Sequence, residues 1–234
     1  FKQKTAYEIP KRDWSSDVCS SDLAVLVLES AIDGKVKIGR KGTSMYTITI
    51  HGRAAHAGLE PEKGVNATVE ISEIVRKLVT LQNPELGTSV VPTVLKSGTT
   101  TNTVPALATL EVDSRSFSLA EMERVKSAIY ALTPTNPEAR IEVSGGINRP
   151  PLEKSATENL YLKLESVAAK LGMGQIGSAV VGGASDGNFA GIHTQVLDGL
   201  GAVGSGAHAL TENISVKRSE EHTSELQSRF GISY

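Results

Sequence analysis

Between residues 41 and 145 the hydrophobic period switches repeatedly, and the order of the switches leaves few folds open. Tyr46, Ile48 and Ile50 alternate with Thr47, Thr49 and His51, the period-two pattern of a half-buried strand. After a loop containing Gly and Pro, the residues Ala67, Ile71, Ile74, Val75, Leu78 and Leu81 recur at helical spacing and mark one face. Ser89–Leu95 and Ala108–Ser114 read as strands joined by the loop Gly98–Pro105. Ser118 and Glu121 form a capping-box signature, followed by helical spacing at Met122, Val125, Ile129 and Leu132, and Ala139–Ser144 reads as a last strand. Strand, helix, strand, strand, helix, strand is the ferredoxin-like unit, and roughly 105 residues suffice for it to bury a core of its own.

The flanks carry a second α/β pattern. Ala24–Leu28 is a continuous apolar run ending at Glu29, as expected of a strand buried on both faces, and Lys35–Lys41 reads as a polar, Gly-flanked crossing. Arg149, Pro150 and Pro151 lead out of the ferredoxin-like segment. Leu160, Leu164, Val167, Ala168 and Leu171 then predict a helix stopped by Gly172. Ile176–Val181 is a strand candidate, and Val196 with Leu197 belongs to another. The chain starts in one α/β layer, leaves for an inserted module, and returns.

The two ends look like one piece of DNA read from opposite strands. Asp13–Leu23 reads DWSSDVCSSDL and Arg218–Ser228 reads RSEEHTSELQS, and the reverse complement of one coding stretch encodes the other. That DNA resembles the adapter ligated to fragments in short-read sequencing. The expectation is that residues 1–23 and 218–234 are not native, and that the insert 24–217 is truncated at both ends. Setting the tails aside removes the only cysteine, Cys19, and the only tryptophan, Trp14, so no disulfide framework or thiolate metal site is available. Lys plus Arg falls from 24 to 18 and Asp plus Glu from 26 to 19. A chain this close to neutral offers no electrostatic case for nucleic acid or an anionic membrane, and no apolar run reaches a transmembrane length. The compartment stays open, with the cytoplasm favoured.

Several residues have types and settings suited to chemistry. GRAAHAGLEPEKGVNA places His56 in a loop between strand and helix, where a side chain can be aimed into a cleft; taken singly it reads as a solvated histidine, as do His51 and His193. GSGAHALTE surrounds His208 with small residues, and imidazole is a common zinc ligand. Glu29 ends a strand where α/β sheets place ligands at their carboxyl edge, and a buried carboxylate there needs a partner or a metal. GGASDGN, Gly182–Asn188, follows a strand and opens a short helix with Ser185 or Asp186 as cap; it reads as an anion site or as a plain capped turn. GTTTNTVP and VDSR supply the Asn102 amide and the Arg115 guanidinium, which suits a carboxylate bidentately.

In order along the chain, LVLES, RKG, GRAAHAGLEPEKGVNA, GTTTNTVP, VDSR, GGASDGN and GSGAHALTE resemble the dinuclear zinc amidohydrolases. That family includes acetylornithine deacetylase, succinyl-diaminopimelate desuccinylase, aminoacylase and glutamate carboxypeptidase, and the last is nearest. The resemblance implies a zinc-peptidase α/β/α catalytic domain holding two zinc ions, interrupted by a ferredoxin-like lid that also forms a homodimer. On that likeness 24–40 and 146–217 are catalytic-domain remnants and 41–145 is the lid. Glu29 and His208 would each be a ligand of one zinc, and His56 would reach into the partner's active site to polarise the scissile carbonyl. Asn102, Arg149 and Arg115 would contact a small-molecule or peptide substrate, with Gly183, Ser185 and Asp186 lining its pocket. The family's first histidine ligand, bridging aspartate and paired glutamates precede the strand at Ala24 and are missing here. The expectation for this chain is therefore no hydrolysis, no tight zinc, and trimming or aggregation of the catalytic remnant.

Two other classes compete. The chain can serve as a dimerisation module without catalysis. An RNA-binding ferredoxin-like domain reads bases by stacking them on strand aromatics, but the insert has only Tyr46, Tyr130, Tyr161, Phe117 and Phe189 and no aromatic-rich strand motif.

Overall fold

The computed structural model describes residues 24–206 and 209–216; the tails, residue 207, His208 and Lys217 lie outside the described residues. In chain order the elements are β1 (Val25–Val27), β2 (Ala31–Ile32), β3 (Val36–Arg40), β4 (Gly42–His51), α1 (Ala67–Val79), β5 (Ser89–Ser97), β6 (Leu107–Ser116), α2 (Leu119–Tyr130), β7 (Arg140–Arg149), α3 (Glu158–Lys170), β8 (Ser178–Val181), α4 (Gly187–Ala190), β9 (Val196–Asp198), β10 (Val203–Ser205) and β11 (Asn213–Ile214). The fold is α/β. Among the described residues two compact units emerge: Gly39–Glu153 with Val180–Ala184, and 24–38 with Lys154–Ala179, 185–206 and 209–216. No helix among the described residues is long and apolar enough to cross a membrane.

The first unit is ferredoxin-like. Its antiparallel sheet is ordered β5-β6-β4-β7, with α1 and α2 packed on one face. Alternation in β4 drives this: Tyr46, Ile48 and Ile50 point into the core beside Ala108, Leu110 and Val112 of β6. The stripe Ala67, Ile71, Ile74 and Leu78 on α1 and the residues Met122, Val125 and Ile129 on α2 close over them. Each fully buried Ile or Leu contributes about 1.5–3 kcal/mol relative to an exposed one, so this core is the main source of the unit's stability. Asn66 starts α1, its side chain accepting the N–H groups of Thr68 and Val69 at 3.0 and 3.3 Å. Pro92 sits in β5, an edge strand, where its missing N–H costs no central ladder bond. Gly145 in β7 has φ +100, and a Cβ there would lie 2.1 Å from the Met45 carbonyl oxygen, so only glycine fits.

The capping box is a correction. Ser118 is the N-cap of α2, but its side chain makes no cap bond. Glu121 is drawn away to Arg124 and to the Thr88 hydroxyl, and the Leu119 N–H donates instead to Glu153 at 2.8 Å.

The remaining strands form small sheets ordered β1-β9-β3-β8 and β11-β10-β2. Here two expectations fail for physical reasons. β1 exists, but it is an edge strand paired only with β9, and Leu26 and Leu28 are 61% and 78% exposed rather than buried on both faces. The supposed polar crossing at 35–41 contains β3, whose Lys37 and Arg40 are buried. Their charges break the apolar pattern, but partners make burial tolerable: Arg40 donates to the Gly183 carbonyl at 2.9 Å. The helix α3 does stop at Gly172, which adopts φ +68. Of its expected apolar face only Ala168 is buried, while Val167 and Leu171 are about half exposed.

Candidate active site

His56 sits in the loop after β4, exposed, and its backbone bridges to Thr103 while the Ala57 N–H donates to the Asn102 carbonyl at 2.8 Å. The strand-to-helix loop and the Gly98–Pro105 loop thus bring His56 and Asn102 together. The ring's orientation is set locally. Nδ1 accepts the N–H groups of Gly58 and Leu59 at 3.1 and 3.2 Å, so in the neutral ring the proton resides on Nε2. A turn of the chain has made this imidazole a hydrogen-bond donor at its outer nitrogen.

A second group forms at the other end of the sheet. Thr43 on β4 is paired with Arg115 on β6 and with Arg149 on β7, which places the two arginines on either side of it. The segment Val181–Gly183 runs alongside: its carbonyls accept from the Lys41 N–H at 3.1 Å, from Arg40 at 2.9 Å and from Arg115 Nη1 at 3.4 Å. Arg115 is less open than its sequence suggests. Its Nε and Nη2 grip Asp113 bidentately at 2.9 and 3.1 Å, and that carboxylate pushes the guanidinium's pKa up. Asp113 escaped notice in the sequence, although Asp-x-Arg on a strand puts both side chains on one face.

Thr43 lies one residue inside the start of β4 and His51 ends it, and the eight residue steps between them span about 26 Å. His56 with Asn102 and Arg115 with Arg149 therefore lie at opposite ends of one sheet, too far apart to grasp the same small molecule.

In the other unit, Ser185 and Asp186 precede α4. Asp186 is exposed and takes the N-cap position without a side-chain cap bond, whereas Ser185 is 3% exposed with its hydroxyl bonded to Asp198 at 2.6 Å. Asp198, fully buried, is another residue missed, because Asp-Gly reads as a turn. Glu29 is exposed beyond the end of β1, and His208 lies outside the described residues. Among the described residues no three His, Cys, Asp or Glu side chains gather closely enough to hold a metal ion. His193 is exposed. His51, expected to be solvated, is half-buried and sits 3.1 Å from Glu142. Hydrogen bonds from Arg140 first and His51 second hold the Glu142 carboxyl below the usual carboxylate range.

Residues 38–138 match a family model described as a peptidase dimerisation domain. Over 188 residues the chain is 29% identical to carboxypeptidase G2 of Pseudomonas sp., a match that covers 77% of this chain and 44% of that protein. Among solved structures, it resembles aminopeptidase PepT of Bacillus cereus with a TM-score of 0.68 at 23% identity, covering 84% of this chain and 53% of that one. A tripeptidase of Staphylococcus aureus gives a TM-score of 0.67 at 20% identity, covering 86% and 54%. The chain spans about half the length of these relatives. At such identities the structural likeness is one of fold.

Proposed function

We propose that this chain carries the dimerisation lid and part of the catalytic domain of a metal-dependent amidohydrolase or exopeptidase. The reaction is hydrolysis of an amide bond, in an N-acyl amino acid or at a C-terminal peptide residue, as in a glutamate carboxypeptidase. The observation that carries the reading is the pair of candidate groups at opposite ends of one sheet, with about 26 Å of strand between Thr43 and His51. Two such groups serve one small substrate when two copies of the chain pair, each lending its His56 end to the other's Arg149 end. The similarity of residues 38–138 to a dimerisation domain supports that arrangement.

In this scheme His56 donates from Nε2 to the scissile carbonyl oxygen in the partner's site, with Nδ1 steadied by Gly58 and Leu59. Arg149 and the outer edge of Arg115 hold the substrate's carboxylate, and Asn102 adds a polar contact. In the intact enzyme zinc would supply the activated water.

The test is subunit complementation in the longer enzyme. His56→Ala and Arg149→Ala homodimers should each lose about 10²–10³ in kcat, the usual effect of removing one such donor or clamp. An equal mixture should recover about a quarter of wild-type activity, since half the dimers are mixed and each mixed dimer has one intact site. Mixtures as dead as their parents would overturn the shared site.

A dimerisation module without catalysis is the second reading. It is favoured by the exposed Val91, Val94 and Leu95 on edge strand β5. Sizing of residues 39–153 tests the pairing that both readings require, because a strictly monomeric unit contradicts both.

A further inference from the structure

We propose that Ser185 and Asp198 are positioning residues: they lock the turn Ser185–Asn188 so that Asp186 alone faces outward as a substrate-contacting carboxylate. The proposal rests on the reading of this segment as a pocket wall. Ser185, Gly187 and Asn188 are buried, while Asp186 between them is exposed. The groups flanking Asp186 are all tied inward. The Ser185 N–H donates to Asn188 Oδ1 at 2.8 Å, the Ser185 hydroxyl donates to Asp198 Oδ2 at 2.6 Å, and the Gly187 N–H donates to the same hydroxyl at 3.1 Å. With its donor spent and its side chain enclosed, Ser185 is a fastening and Asp186 is the group left to meet a ligand.

The anchor is built for the purpose. Asp198 is fully buried at the end of β9, a setting in which a carboxylate persists only if paired and hydrogen-bonded. It receives a short charge-assisted bond from Ser185 and stands in register opposite Lys37 of β3, a cation only 5% exposed. The glycines follow from the same packing. A Cβ at Gly187 would lie 2.9 Å from Asp198 Oδ2 and 3.2 Å from Ser185 Oγ. Gly199 adopts φ +78, and a Cβ there would lie 3.1 Å from Lys37 Cγ. The SDGN and LDG signatures are thus two halves of one clamp. An outward carboxylate fixed in this way accepts from a substrate hydrogen-bond donor, an amide N–H or an ammonium.

Two measurements decide it. In the 234-residue chain, Ser185→Ala should speed exchange of the Gly187 amide by about tenfold or more and leave the Ile71 amide unchanged, with Asp198→Asn intermediate because its amide oxygen still accepts the hydroxyl. In the longer enzyme, Ser185→Ala should lower kcat/KM about tenfold when Asp186 is present and have little further effect in an Asp186→Ala background. Unchanged Gly187 exchange in Ser185→Ala overturns the clamp. An equal loss of kcat/KM with and without Asp186 overturns its service to Asp186. If the longer enzyme hydrolyses no amide at all, the proposed function fails, and the exchange measurement still judges the clamp.

Discussion

Glu70 offers a sharp stability test of the ferredoxin-like unit. It lies in the first turn of α1, 6% exposed, and its carboxylate accepts the Thr135 N–H at 2.7 Å and the Asn136 N–H at 3.2 Å. It pins the loop that leads from α2 into β7. Hydrogen bonds to a charged acceptor contribute about 1.5–3 kcal/mol each, so the two amides give about 3–6 kcal/mol before the cost of burying the charge. That desolvation offsets several kcal/mol, and the net expectation for Glu70→Ala is a loss of about 2–3 kcal/mol. In equilibrium terms this is about 30- to 150-fold. Glu70→Gln keeps one acceptor oxygen and should lose about 1–2 kcal/mol. Urea denaturation gives the free energies, and exchange at the Thr135 and Asn136 amides assigns them to this unit, since two units can unfold separately. A Glu70→Ala variant within about 0.5 kcal/mol of wild type, or Thr135 and Asn136 amides exchanging as slowly as before, would refute the reasoning.

Two further expectations concern acid and metal. The Arg124 guanidinium, and after it the Thr88 hydroxyl, hold the Glu121 carboxyl below its ordinary 4.5. A depressed folded value means the stabilisation is complete above the ordinary value and is lost as pH falls through the lowered one. Glu121→Gln should therefore destabilise by about 1 kcal/mol at neutral pH, and the difference should vanish in acid; a gap independent of pH argues against the pairing. The 234-residue chain itself should bind no stoichiometric zinc at micromolar affinity and release no product from N-acyl amino acids. Calorimetric titration and a turnover assay check this, and a positive result in either contradicts it.

The legible parts of the sequence were those where burial is one-sided and local. Tyr46, Ile48 and Ile50 alternate because only one face of β4 meets the helices, and α1 shows its stripe for the same reason. β3 was hidden because Lys37 and Arg40 are buried through partners that come from distant segments, so charge masked a strand. The Ser185–Asp198 pairing was opaque for a related reason: thirteen positions separate the hydroxyl from its acceptor, and no periodicity links them. His56 could be singled out by type, but its donor nitrogen depends on where the Gly58 and Leu59 amides point, which is backbone geometry.

The opposition of the two candidate groups lay between these extremes. Once β4 is read as a ten-residue strand, the distance between its ends follows from the rise per residue alone. About seven or eight residues of extended peptide would be needed to bridge them. An N-acyl amino acid is far shorter than that. If both ends act on such a substrate, a second copy of the chain has to bring one of them, and the need for a dimer follows from the length of a single strand.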